Sequence, residues 1–254
     1  MIHSFSETCG STFPLVFRKA NELQYEPRLF LHDKRLDRLV GGLQLGQVAF
    51  LYGSKECLAL SELLCVRSQL DQCHGGLNSN VIFIDGGNTF DPYLLVQYAE
   101  ENQIDRDRAL DLTLISRAFT CYQLTSLMTQ TLPRAVHGRE IKFVVVSDII
   151  ELYHDPDLRY NRIIDLFKTA LNSLLTIART ERAIALTTSL DEVMPAPFLC
   201  AIRQRVDVVL RLEEQRDFTK FTLEKHPTRS VGSLIVKHPT PRVIEEFLEA
   251  SEDG

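Results

Sequence analysis

Residues 48–65 read Val-Ala-Phe-Leu-Tyr-Gly-Ser-Lys-Glu-Cys-Leu-Ala-Leu-Ser-Glu-Leu-Leu-Cys: an apolar strand, a Gly-led turn and a helix. A phosphate-binding loop needs that order, in the pattern G-x-x-x-x-G-K-[ST]. Its glycines let backbone N–H groups wrap the phosphates, its Lys neutralises them and its hydroxyl holds Mg²⁺. Gly53 stands at the first glycine, followed by Ser54 and Lys55. Counting on, Leu58, Ala59 and Leu60 take the places of the second Gly, the Lys and the Ser/Thr. An apolar triplet replaces the groups that do the chemistry. Lys55 comes before a loop could wrap a triphosphate, so it is a weak substitute. Apolar groups facing an empty phosphate site would be poorly placed, so Leu58 and Leu60 are expected to fill it.

The surrounding elements are those such a loop requires. Apolar runs rich in Val and Ile recur at Val48–Tyr52, Val81–Asp85, Leu112–Ile115, Phe143–Val146, Ile184–Thr187 and Val206–Leu212. Helical spacing separates most of them, at Leu58–Gln69, Pro92–Glu101, Tyr122–Leu132 and Arg162–Ala178. Near-continuous apolar strands alternating with helices predict a mainly parallel sheet covered on both faces. Phe218–Leu223 and Ser233–Lys237 read as antiparallel strands around Pro227, and Pro241–Ala250 as a final helix before an acidic tail.

Several segments in order resemble the RecA/RadA recombinase superfamily, especially its archaeal and eukaryotic branch. Leu36-Asp37-Arg38-Leu39-Val40-Gly41-Gly42 is similar to the "LDKLLGG" segment before that family's first core strand. Asp85-Gly86-Gly87-Asn88-Thr89-Phe90-Asp91-Pro92 resembles its "DTEGTFRP" signature, and Ile115-Ser116-Arg117-Ala118-Phe119 its "VARAF" stretch. Val144–Tyr153 stands where the family has "IVDSATALY". The resemblance spans residues 15–240 and implies a RecA-like P-loop ATPase core over 31–254, with an N-terminal arm over 1–30.

The departures fall on chemistry. At the family's water-activating Glu stands Gly87, and at its Walker B Asp stands Ser147, with an acid one residue later at Asp148. Leu186-Thr187-Thr188-Ser189 takes the place of its polar sensor. Hydrolysis in this fold needs positioned phosphates, a metal and an oriented water. With all three supports weakened together, the resemblance implies a pseudo-ATPase with no cofactor of its own, ATP and Mg²⁺ entering only through a partner subunit.

Other family surfaces carry over residue by residue. Phe17-Arg18-Lys19-Ala20 resembles the polymerisation motif in which Phe and Ala enter a neighbouring subunit, an aromatic anchor beside a small residue; an amphipathic segment on its own core reads the same. Arg159, Tyr160 and Arg162 fall in the first DNA loop, as phosphate and stacking contacts, although Asp155 and Asp157 offset their charge. Arg203 and Arg205 close the second DNA loop, Leu190–Arg205, which Pro195 and Pro197 stiffen; the same arginines would equally cap a helix C-terminus. Lys225 and Arg229 lie where a family loop leans over the neighbour's nucleotide, or in a plain charged turn.

Composition bounds these readings. The chain has 254 residues, 44% of them hydrophobic and 24% charged, as expected of an ordinary globular protein. No apolar run reaches the roughly 20 residues of a membrane span, and no secretory signal is visible. The six Cys lack a Cys-x-x-Cys pair and read as reduced thiols; Cys73-His74 is the one neighbouring pair of metal-ligating type. A formal charge of −6 opposes nonspecific coating of nucleic acid but leaves room for a local basic groove. The resulting expectation is a noncatalytic recombinase paralogue in recombination and DNA repair, cytoplasmic or nuclear. It would assemble with recombinase or paralogue subunits, as a homo- or hetero-oligomer, with single-stranded DNA as a candidate partner. The alternatives are an active DNA-dependent ATPase using Lys55 and a RecA-like scaffold of a signalling or motility complex without DNA.

Overall fold

The computed structural model describes residues 27–31, 33–154, 159–190 and 195–237. In chain order the elements are β1 (Arg28–Leu29), α1 (Lys34–Val40), β2 (Leu43–Gln44), β3 (Val48–Gly53), α2 (Glu56–Ser68) and β4 (Asn80–Asp85). There follow α3 (Pro92–Glu101), α4 (Arg106–Asp111), β5 (Thr113–Arg117), α5 (Cys121–Ser126), α6 (Leu132–Val136) and β6 (Ile141–Ser147). The chain continues through α7 (Tyr160–Thr180), β7 (Ile184–Leu190), α8 (Ala196–Arg205), β8 (Val208–Glu214), β9 (Phe218–Lys225) and β10 (Gly232–Lys237).

The apolar runs form one eight-stranded sheet in the order β10-β9-β8-β3-β7-β6-β4-β5. Six strands are parallel, and β9 and β10 add antiparallel to the β8 side. The mainly parallel sheet with an antiparallel extension is therefore as the sequence predicts.

Alternation along the strands explains why both faces are dry. Val48, Phe50 and Tyr52 of β3, with Val144 and Val146 of β6, face α5, α7 and α8. Ala49 and Leu51, with Phe143 and Val145, face α1 to α4. Ile163, Phe167, Ala170, Leu171, Leu174 and Ala178 recur at three- and four-residue intervals on the buried side of α7. Phe167 meets Tyr153 and Phe198 edge-on, with ring centroids 5.2 and 4.9 Å away. Burying such a ring contributes about 1.5–3 kcal/mol.

Several boundaries differ from expectation, and two of the differences have a local reason. Helix α2 begins at Glu56 instead of Leu58. The helix expected at Tyr122–Leu132 runs on to Val136, interrupted by a π-helical turn at Leu127–Thr131. Pro133 follows that turn; it has no N–H to give, and the wider turn, closed by Leu132 N to Leu127 O, absorbs the missing bond. The expected loop Leu190–Arg205 contains α8, whose first turn holds Pro197. Proline suits a first helical turn, where N–H groups lack partners anyway, so the prolines that read as loop stiffeners mark a helix start. Residues 1–26 of the expected arm and the final helix at Pro241–Ala250 lie outside the described residues, as do Phe17 and Ala20, whereas the end of the arm holds β1.

Candidate functional site

The C-terminal ends of β3, β4, β6, β7 and β8 converge at one end of the sheet. Gly53 closes β3 at φ +126°, and a Cβ there would fall inside the carbonyl oxygen of Leu212 on β8. Only glycine fits so close an approach. Ser54 fastens the turn: its N–H and hydroxyl both donate to Leu212 O, at 2.9 and 3.2 Å, and Glu214 N–H donates to its Oγ at 3.2 Å. Between Gly53 and α2 only Ser54 and Lys55 remain outside the helix. Lys55 is exposed at the helix start, with no side-chain capping bond. The N–H groups of Cys57 and Leu58 already donate to Ser54 O and Lys55 O, at 3.1 and 3.0 Å. Leu58 and Leu60 pack partly buried on the core, and Ala59 lies half-buried between them.

Asp85, at the end of β4, is fully buried and ties the next loop together. Its carboxylate accepts from Thr89 N (2.9 Å), Phe90 N (3.3 Å) and Arg117 Nε (3.0 Å). Asp91 continues the arrangement by capping α3, while its own N–H donates to Glu62 Oε1 at 2.9 Å. Ser147 Oγ sits 2.7 Å from Thr89 Oγ1 and accepts from Thr188 Oγ1 at 3.4 Å. Hydroxyls of three separate strands and loops thus satisfy one another at the position that the resemblance aligns with the Walker B Asp.

Asp148 follows β6 at φ +47°, its N–H donating to Thr188 Oγ1 at 2.9 Å. Its carboxylate lies against Gly87 and near Ser189 and Leu190, and its Oδ1 is buried with no well-formed hydrogen bond among the described residues. Burial, then the charge of Glu151, raises its pKa to about 6. Burial similarly lifts Glu62 to about 7, helped by Asp91 and Asp85. The Cys57 thiol is pushed up to about 12 by burial and by Asp148, which keeps it a thiol at neutral pH.

At this end of the sheet too, Arg159 and Tyr160 lead into α7, and Arg162 Nε donates to Tyr122 OH at 3.1 Å with its guanidinium 5.6 Å over that ring. The three residues line a cavity of about 720 Å³ shared with Asp165. Asp155 and Asp157 lie outside the described residues, as do Asp191 and Glu192.

The remaining candidates are placed elsewhere. Arg203 and Arg205 occupy the last turn of α8: Arg205 donates to Ala201 O at 3.0 Å, and Arg203 pairs with Glu224 at 3.0 Å. Lys225 Nζ donates to Arg203 O at 2.8 Å, capping the same helix. Arg229 donates to Arg38 O at 3.2 Å and packs over Gly41. Lys225 pairs with Val209 near the start of β8, so this hairpin turn sits at the opposite end of the sheet from Gly53. Glu224, which also accepts from Tyr52 OH at 2.9 Å, escaped sequence reasoning because its partners are far away in the chain. Among the described residues, Asp71, Cys73 and His74 bring three ligand atoms within 4.8 Å, all exposed on one short turn.

Comparison with known proteins places this geometry in context. A family model described as Rad51 matches residues 30–162, just over half of the chain. The chain is 26% identical over 154 residues to a DNA repair protein RAD51 homolog of Solanum lycopersicum, covering 58% of this chain and 45% of that protein. It is 28% identical over 145 residues to the human meiotic recombination protein DMC1/LIM15 homolog, covering 54% and 43%. The DNA repair protein RAD51 homolog 1 of Arabidopsis thaliana is 25% identical over 154 residues, covering 58% and 45%. The match spans less than half the length of each of these relatives. No helix among the described residues is long and apolar enough to cross a membrane.

Proposed function

The chain belongs to the Rad51 family, within the RecA/RadA recombinase superfamily, and from that membership we propose that it is a noncatalytic subunit acting in recombination and DNA repair. It assembles with recombinase or paralogue subunits and engages single-stranded DNA without turning over ATP itself. The observation that carries this reading is the closed turn after β3. A Mg-bound triphosphate does not suit it: two residues separate Gly53 from α2, and the N–H groups of Cys57 and Leu58 are spent inside the turn. Phosphate recognition needs those donors free and a cation aimed among them. Gly87 and Ser147 offer no carboxylate at the positions that activate water and hold the metal in the family.

Assembly is supported by the β5 edge of the sheet. Leu114 and Ile115 are 42% and 47% exposed there, on a strand with one side unpaired among the described residues. With Ile84, Leu127, Leu132 and Ala135 they line an apolar groove of about 110 Å³. Open apolar edges invite another chain, and an aromatic anchor such as Phe17 is the type of side chain such a groove accepts.

Equilibrium dialysis of the full chain against labelled ATP with Mg²⁺, alongside an assay of phosphate release, tests the catalytic half. We expect neither turnover nor saturable binding at millimolar ATP; micromolar binding would overturn it. Fluorescence anisotropy on labelled single-stranded DNA tests the other half. Salt-sensitive binding indifferent to Mg-ATP is expected, whereas no binding at any salt would leave a scaffold that works through proteins alone.

A further inference from the structure

At the end of the sheet opposite Gly53, a groove of about 750 Å³ opens between β1, α1 and the β9–β10 turn. Four cations line it, Arg28, Lys34, Arg38 and Arg229, with Phe30 in its wall. Among the described residues the one acid of the lining is Asp37, which accepts a hydrogen bond from Leu31 N at 2.6 Å. Asp33, next to Lys34, is paired with Arg35 at 3.0 Å. The chain as a whole carries a formal charge of −6, so this concentration of positive charge runs against the background.

Two of the cations are held by backbone carbonyls, and two are unpaired among the described residues. Arg28 donates to Gly41 O at 3.0 Å, and Arg229 to Arg38 O at 3.2 Å, so backbone carbonyls pin both guanidinium groups while leaving further N–H groups to offer. Gly41 is what admits Arg229: a Cβ there would lie 2.8 Å from its Nε and Nη2. Lys34 and Arg38 are exposed and make no ion pair among the described residues. They stand one helical turn apart, about 6 Å along α1, close to the interval between successive phosphates of an extended strand. Burial, followed by the charges of Arg229 and Arg28, holds the His226 imidazole below its ordinary value.

We propose that this groove binds the phosphodiester backbone of a single-stranded nucleic acid, as a contact separate from Arg159 and Arg162 at the other end of the sheet. Repeated cations at phosphate spacing suit a strand better than an isolated carboxylate or a free phosphate. Arginines held in a fixed fork give bidentate phosphate recognition, and a partly exposed Phe30 beside them offers a face for a base. The proposal rests on the nucleic-acid half of the function given above.

The test is anisotropy of the full chain on a labelled oligonucleotide and, separately, on a labelled polyglutamate peptide, across a salt series. The variants are Lys34→Gln/Arg38→Gln and Arg229→Gln, with Arg162→Gln as the comparison at the other end of the sheet. Losing two phosphate contacts lowers the salt slope for a single strand by about 1.4, and affinity for the oligonucleotide falls with it in Lys34→Gln/Arg38→Gln. Arg229→Gln lowers the slope by about 0.7. If the native chain binds DNA and both groove variants keep its affinity and slope, the groove proposal fails while the broader function stands. If the native chain binds no DNA at any salt, both fail. If the variants lose only polyglutamate, the groove is a protein-docking site and the nucleic-acid assignment is overturned.

Discussion

A Cβ placed on Gly87 would lie 2.7 Å from both Cβ and Oδ2 of Asp148. The two positions exclude one another: a side chain fits at 87 only if the side chain at 148, Cβ included, gives way. Asp148 itself sits in the left-handed region at φ +47°, which a glycine would relieve.

Gly87→Glu is therefore expected to destabilise the fold by about 1–3 kcal/mol, as overpacking in a tight core does, without gaining ATP turnover. Combined with Asp148→Gly, much of that loss should be recovered, giving clear non-additivity in a double-mutant cycle read by urea denaturation. Simple additivity would mean the two side chains avoid each other. Leu58→Gly/Ala59→Lys/Leu60→Thr should likewise yield no turnover while Gly87 remains.

Removing the Arg117 guanidinium leaves Asp85 buried beside Thr89 and Phe90 with its charge less compensated. Arg117→Ala is expected to cost about 2 kcal/mol, in the range of hydrogen bonds to charged groups, and to lower the urea midpoint. A shift within about 0.5 kcal/mol would show the pair to be no stronger than a surface ion pair.

Stability should fall as pH rises from about 4 to about 7 through the ionisation of Glu62 and Asp148. Both acids have folded pKa values raised above their unfolded ones, so the native state holds more protons in this window. Their favourable contribution is complete below the ordinary carboxylate range and is lost through about 6 and about 7. Glu62→Gln/Asp148→Asn should flatten the pH dependence of the denaturation midpoint across this window. An unchanged slope in the double variant would assign the dependence to other groups.

Ile115→Glu at the open β5 edge should leave thermal stability within about 0.5 kcal/mol, as exposed substitutions do, while lowering the assembly mass measured by light scattering. Phe17→Ala should have the same effect on mass. A stability loss with unchanged mass in both would assign Phe17 and Ile115 to the protein's own packing.

The sheet was legible in sequence because its central strands are buried on both faces and read as continuous Val/Ile runs. The antiparallel extension was legible from Pro227 between two short alternating strands. Helix α8 was not: Pro195 and Pro197 carry the same letters in a stiff loop and in a first helical turn. The departures from the phosphate-loop pattern could be counted, but the closure of the turn by Leu212 could not, since that contact joins residues 158 positions apart. For the same reason the Thr89–Ser147–Thr188 hydroxyl network and the basic groove stayed hidden. Arg28, Lys34 and Arg38 form no charge run, and Arg229 joins them only through the fold.

The bonds from Ser54 to Leu212 and Glu214 also have a mechanical consequence. They clamp the start of α2 to the end of β8, and β8 carries β9 and β10 with it. The turn that opens α2 and the antiparallel half of the sheet are thus riveted through one serine, whose hydroxyl makes two of the three bonds in that joint.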